Sequence, residues 1–258
     1  MKIATWNVNS IRAREQLVVD WLRRTEPDVL CLQETKVVDD DFPTDELQRL
    51  GYSVATAGQR TYNGVAILSR DTVRDISVGL HDDAPEAERR LIAATVAGIR
   101  IVCVYVPNGK AVDSPSFPHK LEWLRRLRET LDRGPGPDQD VVVCGDFNIA
   151  PDERDLFDPD ERRGQVHFHP DEHAALAHLL EFGLVDAFRL HHSEGGLYSW
   201  WDYRAASFRR NAGMRIDLVL VTKTLAARCL SARMDVEERR REKPSDHVPV
   251  VIELADRS

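Results

Sequence analysis

Three shortages narrow the reading before any motif is considered. The 258 residues contain only four cysteines, at 31, 103, 144 and 229, and no two show CxxC spacing. Cys31, Cys103 and Cys144 lie inside apolar runs, the pattern of small buried thiols in a reducing compartment rather than of disulfides or a zinc site. No run of 18 or more apolar residues exists, so no transmembrane helix is expected. The N-terminus, MKIATWNVNS, has neither the basic segment nor the apolar stretch of a signal peptide, and a cytoplasmic location is expected. A basic balance is missing too: the formal net charge is −8, which argues against a protein that coats nucleic acid by bulk electrostatics. It does not argue against a nuclease, because a site for a divalent cation needs carboxylates. No P-loop, GxSxG or HExxH appears, which leaves NTPase, serine-hydrolase and zincin chemistries without support.

The chain does have many short strand patterns, at 2–6, 28–33, 52–56, 63–69, 91–96, 99–106, 140–144, 197–201, 214–221, 229–236 and 248–254. Helical spacing of apolar residues predicts helices from a Ser10 cap through Arg24, over 44–50, over 119–132 and over 170–182. Strands and helices mix without strict alternation, which predicts a layered α/β fold with mixed sheets. There is no internal repeat, and the loop RGPGPDQ at 133–139 is too short to be a domain linker, so residues 1–258 are read as one domain.

The informative feature is where polar residues fall. In GDFNIAP, 145–151, Asp146 and Asn148 would share one face of an extended chain while Phe147 turns to the core. An Asx-type turn after a strand is the competing reading of that segment. The same habit recurs: Asn7 and Asn9 after the first strand, Glu34 in LQET, Tyr105 in VYVPNG, Asp217 in RIDLVLV, and Asp246 with His247 in PSDHVPV. Asp217 has an alternative partner in Arg215, and a lone His247 is compatible with a structural role. Six such groups at strand edges are hard to ascribe to separate accidents, because burying unpartnered polar groups is costly. Glu34, Asp146 and Asp246 offer hard oxygen ligands for Mg²⁺ or Mn²⁺. Asn7 and Asn148 can orient water and phosphate, Tyr105 offers a hydroxyl, and His247 held by Asp217 has the pairing of a base and its orienter.

These segments together resemble the exonuclease III family of class II apurinic/apyrimidinic (AP) endonucleases, within the endonuclease/exonuclease/phosphatase superfamily. The resemblance covers nearly the whole chain: WNVNSIRAR (6–14), LQETK (32–36), NGVAILS (63–69), YVPNG (105–109), GDFNIAP (145–151), SWWDYR (199–204), RIDLVLV (215–221) and KPSDHVPV (243–250). It implies a DNase I-like four-layer α/β sandwich, two packed mixed β-sheets flanked by helices. It also implies a Mg²⁺- or Mn²⁺-dependent DNA-repair nuclease that cuts 5′ to abasic sites and clears 3′ ends of double-stranded DNA, with a monomer expected. Under the resemblance Glu34 is a metal ligand with Asp246 close by, and Asn7 lies near metal and phosphate. Asp146 positions or deprotonates the attacking water, and Asn148 contacts phosphate; both also stand near the metal. Asp217 and His247 form a pair aimed at the phosphate, and Tyr105 stabilises the transition state or the leaving oxygen. The family places Asp146 first as base, whereas the residue pattern alone points to His247.

For DNA contact the resemblance points to SWWDYR. Trp200 and Trp201 face opposite ways in a strand, so one is core and the other is free to stack on DNA. Arg209 and Arg210, which have no acid nearby in sequence, and Met214 follow in a loop placed to meet the minor groove, and Lys120 matches a basic position near the DNA backbone. One position departs from the family pattern. His167 stands where strong AP endonucleases usually carry Gly or Ser. An imidazole there narrows the pocket for a flipped-out abasic sugar, or it caps the helix near Pro170, or it faces solvent. Two rivals remain: a superfamily phosphatase or phospholipase acting on non-DNA phosphate esters, and a catalytically dead DNA-binding protein.

Overall fold

The computed structural model describes residues 1–256. Its elements in chain order are β1 (Lys2–Asn7), α1 (Ile11–Thr25), β2 (Val29–Gln33), α2 (Thr44–Arg49), β3 (Ser53–Ala57), β4 (Val65–Ser69), β5 (Arg74–Val78), β6 (Leu91–Val96) and β7 (Ile99–Tyr105). There follow α3 (Ser116–Asp132), β8 (Val141–Asp146), α4 (Pro159–Arg162), α5 (Pro170–Leu180), β9 (Leu184–Asp186), β10 (Asp217–Thr222), α6 (Lys223–Ala226), β11 (Cys229–Met234) and β12 (Val250–Leu254). They form two six-stranded sheets, ordered β11-β12-β1-β2-β4-β3 and β5-β6-β7-β8-β10-β9. Both are mixed, with β1 parallel to β2 and β7 parallel to β8. This is the layered sandwich that the sequence led us to expect. No helix among the described residues is long and apolar enough to cross a membrane.

Strand alternation builds the layers. In β8, Val142 and Cys144 point between the sheets, while Val141 and Val143 pack with Trp123, Leu127 and Leu179 of α3 and α5. In β1 and β2, Ile3, Val29 and Cys31 join the inter-sheet core, while Ala4, Trp6, Leu30 and Leu32 pack against Val18, Trp21 and Leu22 of α1. The apolar surface removed from water on three levels is what holds the sandwich together. Cys31, Cys103 and Cys144 are buried free thiols.

Several expectations need correction. Residues 197–201 form no strand; Trp200 makes only isolated bridges to Met214 and His247. Ser10 makes no side-chain cap; its φ is 93° and its N–H goes instead to the Glu34 carbonyl at 2.7 Å. The helix after His167 is capped by His169, whose Nδ1 accepts from the Asp171 N–H at 3.1 Å. β5 and β9 lie at sheet edges; β5 is exposed along its whole length, so no burial pattern marked it.

Candidate active site

The inner faces of five strands turn polar at one end of the sandwich. Following the alternation outward, Ile3 and Thr5 lead to Asn7, Cys31 to Gln33, Cys103 to Tyr105, Cys144 to Asp146, and Val219 back to Asp217. Asp146 pairs in register with both Asp217 and Tyr105. The inter-sheet core therefore opens into a polar floor built on rigid strands.

Asn7 ties the floor together. Its Nδ2 donates to Glu34 Oε1 at 2.8 Å and to Asp146 Oδ2 at 2.9 Å. Glu34 sits just past β2 in the left-handed region (φ 53°), and its other oxygen meets Lys36 Nζ at 2.7 Å. Lys36 also donates to Asn9 Oδ1 at 2.6 Å, and Asn9 donates to Asp246 Oδ1 at 3.0 Å. Trp200 Nε1 donates to the second Asp246 oxygen at 3.1 Å. On the other side, His247 Nδ1 lies 2.8 Å from Asp217 Oδ2, and its Nε2 lies 3.7 Å from Asp146 Oδ2. Ser199 Oγ accepts from the N–H groups of Ile216 and Asp217, which fixes the start of β10. Ser245 Oγ donates to the Asn7 carbonyl and accepts from the His247 N–H, which joins the two halves of the floor.

Asn148 lies beyond β8 at φ 51°, so it does not continue the strand face shared with Asp146. Its N–H donates to Asp146 Oδ1 at 2.9 Å, which is the Asx-type turn, and its side chain is held by Asn108 Nδ2 at 2.9 Å and the Val106 carbonyl at 3.0 Å. Turn and site coexist in one segment, and Phe147 is fully buried on the helix side.

The electrostatics follow from crowding. Burial raises the Asp146 pKa to about 7, with Asp217 and Glu34 adding to it and His247 and Asn7 opposing. Burial alone would lower the His247 pKa; Asp217, Asp146 and Asp246 outweigh it and push it up to about 10. A pKa raised this far favours the imidazolium form of His247 at neutral pH. Burial raises the Tyr105 pKa, as do Glu34 and Asp146, so its hydroxyl stays neutral. Burial opposes ionisation of Glu34, but Lys36 and Asn7 hold its pKa below the ordinary value.

The residues fit a divalent cation. Glu34, Asp146 and His247 bring one potential ligand atom each within 4.8 Å of one another. Among the described residues, the ion pairs made by the four carboxylates Glu34, Asp146, Asp217 and Asp246 are with Lys36 and His247 alone. Asp217 Oδ1 is buried with no hydrogen-bond partner among the described residues. Hard oxygens with excess negative charge suit a hard cation, and an imidazolium at 247 is a poor ligand for one.

Around this floor, the DNA-facing expectations divide. Trp200 is half-buried and lines a cavity of about 640 Å³ with Leu156, Phe157, Arg162, Arg210 and Met214. Arg209 is exposed outside that lining. Trp201 is a correction: it is 1% exposed and packs on Tyr198, Phe208 and Val248, so it has no face to offer DNA. Met214 is not a free loop residue; it is buried beneath Trp200 with Phe168 and Ile216. Lys120 is also a correction, being fully buried against Glu172. His167 is half-buried at φ 77°, with Nδ1 2.6 Å from the Asn148 carbonyl oxygen and Nε2 facing Asn108 at 3.5 Å. Four site residues were not singled out from sequence: Lys36, Asn108, Ser199 and Ser245. All four lie inside the quoted motifs, beside residues that were.

Comparison with known proteins adds four findings. The pattern of the Endonuclease/Exonuclease/phosphatase family matches residues 4–247. An exodeoxyribonuclease III from Haemophilus influenzae is 34% identical over 266 residues, spanning 98% of this chain and all of the relative. Among solved structures, an AP endonuclease from Archaeoglobus fulgidus superposes with a TM-score of 0.95 at 42% identity, covering 98% of this chain and 99% of that one. A 3′ phosphatase from Neisseria, bound to a product DNA hairpin, superposes with a TM-score of 0.96 at 43% identity, covering 99% of each chain.

Proposed function

Because the chain belongs to the Endonuclease/Exonuclease/phosphatase family, we propose that the polar floor is the active site of a Mg²⁺-dependent DNA-repair phosphodiesterase. The observation that carries this reading is the interlocked set Glu34–Asn7–Asp146–His247–Asp217 at the mouth of the inter-sheet core. Its substrates are double-stranded DNA with abasic sites, cut on the 5′ side, and DNA 3′ ends. The protein acts as a monomer and a single domain in the cytoplasm.

Glu34, with Asn7 and Asp246 nearby, would hold Mg²⁺, and Mn²⁺ would serve in its place. When bound, the ion supplies Lewis-acid polarisation of the phosphate and charge stabilisation of the leaving oxygen. The remaining work falls to the chain. Asp146 orients the attacking water and takes its proton; a pKa raised by burial places it near the pH at which a general base is most effective. His247, charged and held by Asp217, donates to a phosphate oxygen as negative charge grows there. Asn148, fixed by Asn108, contacts a second phosphate oxygen, and the neutral Tyr105 hydroxyl supports the leaving side. Trp200 and Arg210 present an apolar and a cationic wall to the DNA, which suits a polymer substrate better than a small phosphate ester.

The experiment is Asp146→Asn on a duplex with a recessed 3′ end. DNA affinity should persist, and turnover should fall by about 10²–10⁴-fold or more. Near-normal turnover would remove Asp146 from the mechanism.

One observation favours a second reading, mainly a 3′–5′ exonuclease and 3′-phosphatase with weak AP endonuclease activity. His167 keeps a side chain at a positive φ, where glycine is the unstrained choice. Its ring stands over Asn148 next to Phe168, which packs into the wall beneath Trp200. That volume competes with a flipped-out sugar but not with a 3′ terminus. His167→Ser should raise the ratio of endonuclease to exonuclease rates; a constant ratio contradicts this second reading.

A further inference from the structure

Lys120 and Glu172 form a buried ion pair that the proposed chemistry does not use. Both are 0% exposed. Lys120 lies on α3 and Glu172 in the first turn of α5. The three ammonium donors of Lys120 have three acceptors: Glu172 Oε1 at 2.5 Å, the Asn148 carbonyl at 2.6 Å and the Asn108 carbonyl at 3.3 Å. The second Glu172 oxygen accepts from the His169 N–H at 3.1 Å, closing the cap of α5. One pair therefore touches two helices, the turn that carries Asn108, the turn that carries Asn148, and the segment that carries His167.

The Asn148 carbonyl is the meeting point. It accepts from Lys120 on one side and from His167 Nδ1, 2.6 Å away, on the other. Fixing that carbonyl fixes the peptide plane of a residue held at φ 51°. The Asn148 side chain, held by Asn108 Nδ2 and the Val106 carbonyl, hangs from the same Cα. The same contact requires the proton of a neutral His167 to be on Nδ1, which leaves Nε2 to accept from Asn108 Nδ2 at 3.5 Å. Above the lysine stem, a Cβ on Gly109 would lie 3.1 Å from Lys120 Cδ, so the backbone closes tightly over it.

We propose that the Lys120–Glu172 pair is a positioning device that aims Asn148 and His167, setting both the rate and the balance between internal and 3′-terminal cleavage. Stability alone is a poor account of it. A buried ion pair is costly to desolvate, and well-packed apolar residues of similar shape commonly do as well or better. What apolar residues cannot supply is three directed hydrogen bonds to the carbonyls and carboxylate that carry the active-site turns. The inference rests on the proposed roles of Asn148 and His167.

The test is the charge-free double variant Lys120→Met/Glu172→Gln, with Lys120→Met and Asn148→Ala alongside. The single Lys120→Met leaves Glu172 buried without its countercharge and should melt below the double variant. The double variant should fold and bind duplex DNA as the parent does. Its single-turnover rate on a recessed 3′ end should fall by about 10²-fold, the effect of a small misplacement of a reacting group. Its rate on an internal abasic analogue should fall less, because His167 is no longer held over Asn148. A double variant with parental kcat and an unchanged ratio overturns the proposal, whatever its melting temperature, provided Asn148→Ala is impaired. If Asn148→Ala keeps parental turnover, the reading of the site fails, and the proposal with it.

Discussion

Replacing Asp217 with asparagine probes the charge relation on which the proposed chemistry turns. Asp217 is fully buried, and its Oδ2 lies 2.8 Å from His247 Nδ1. Asparagine keeps the shape, so the fold and the ring position should survive, while the charge disappears. Burial then lowers the His247 pKa against Asp146 and Asp246 without its largest opponent. The sign follows: the parental imidazole keeps its proton until the pH rises to about 10, and the variant's loses it at lower pH. A neutral ring that donates its Nδ1–H to the asparagine oxygen presents a bare Nε2, which cannot donate to a phosphate. Losing one donor aimed at developing charge costs about 10²–10³-fold in kcat, about 2.7–4 kcal/mol. The assay is single-turnover removal of nucleotides from a 5′-labelled duplex with a recessed 3′ end, followed from mildly acid to strongly alkaline pH. The variant should lose most rate at neutral and alkaline pH, with its alkaline limb moved to lower pH than the parent's. A parental rate with the parental alkaline limb would refute the role given to the pair.

Glu34→Ala should act through metal affinity, so raising Mg²⁺ should restore part of its rate; no recovery at saturating Mg²⁺ would assign Glu34 another role. The adjacent tryptophans should separate cleanly. Trp201→Ala should cost about 3–5 kcal/mol of stability, as for other buried tryptophans, with unchanged activity per folded molecule. Trp200→Ala should weaken binding and turnover on DNA with a smaller loss of stability; equal behaviour of the two in thermal melts and binding titrations would contradict their assigned faces.

The site was legible in sequence where it depended on strand periodicity. A period of two carries a face outward along a strand without any tertiary knowledge, so polar residues after Val/Ile runs marked the floor from Asn7 to Asp217. Residues placed by loops were not legible. Trp201 is buried because residues 197–216 fold back as a loop, with the Trp201 N–H on the Asp246 carbonyl and Ser199 Oγ on β10. Lys120 reads as a surface lysine in FPHK, and its acid partner is 52 positions away on another helix. Asn148 and His167 owe their directions to positive φ values, which asparagine and histidine adopt more often than most residues but still too rarely for the sequence to mark these two positions. Edge strands such as β5 lack a buried face, so no hydrophobic pattern marks them.

The most direct test of the central claim is cleavage of a 5′-labelled duplex carrying one central abasic analogue and a recessed 3′ end, run with Mg²⁺ and again with EDTA. Metal-dependent phosphodiester hydrolysis at this site predicts 3′-terminal shortening with Mg²⁺, together with a cut 5′ to the analogue whose new end a polymerase can extend. It predicts neither product with EDTA. Cleavage that persists in EDTA, or activity on soluble phosphate esters with none on the duplex, would contradict it.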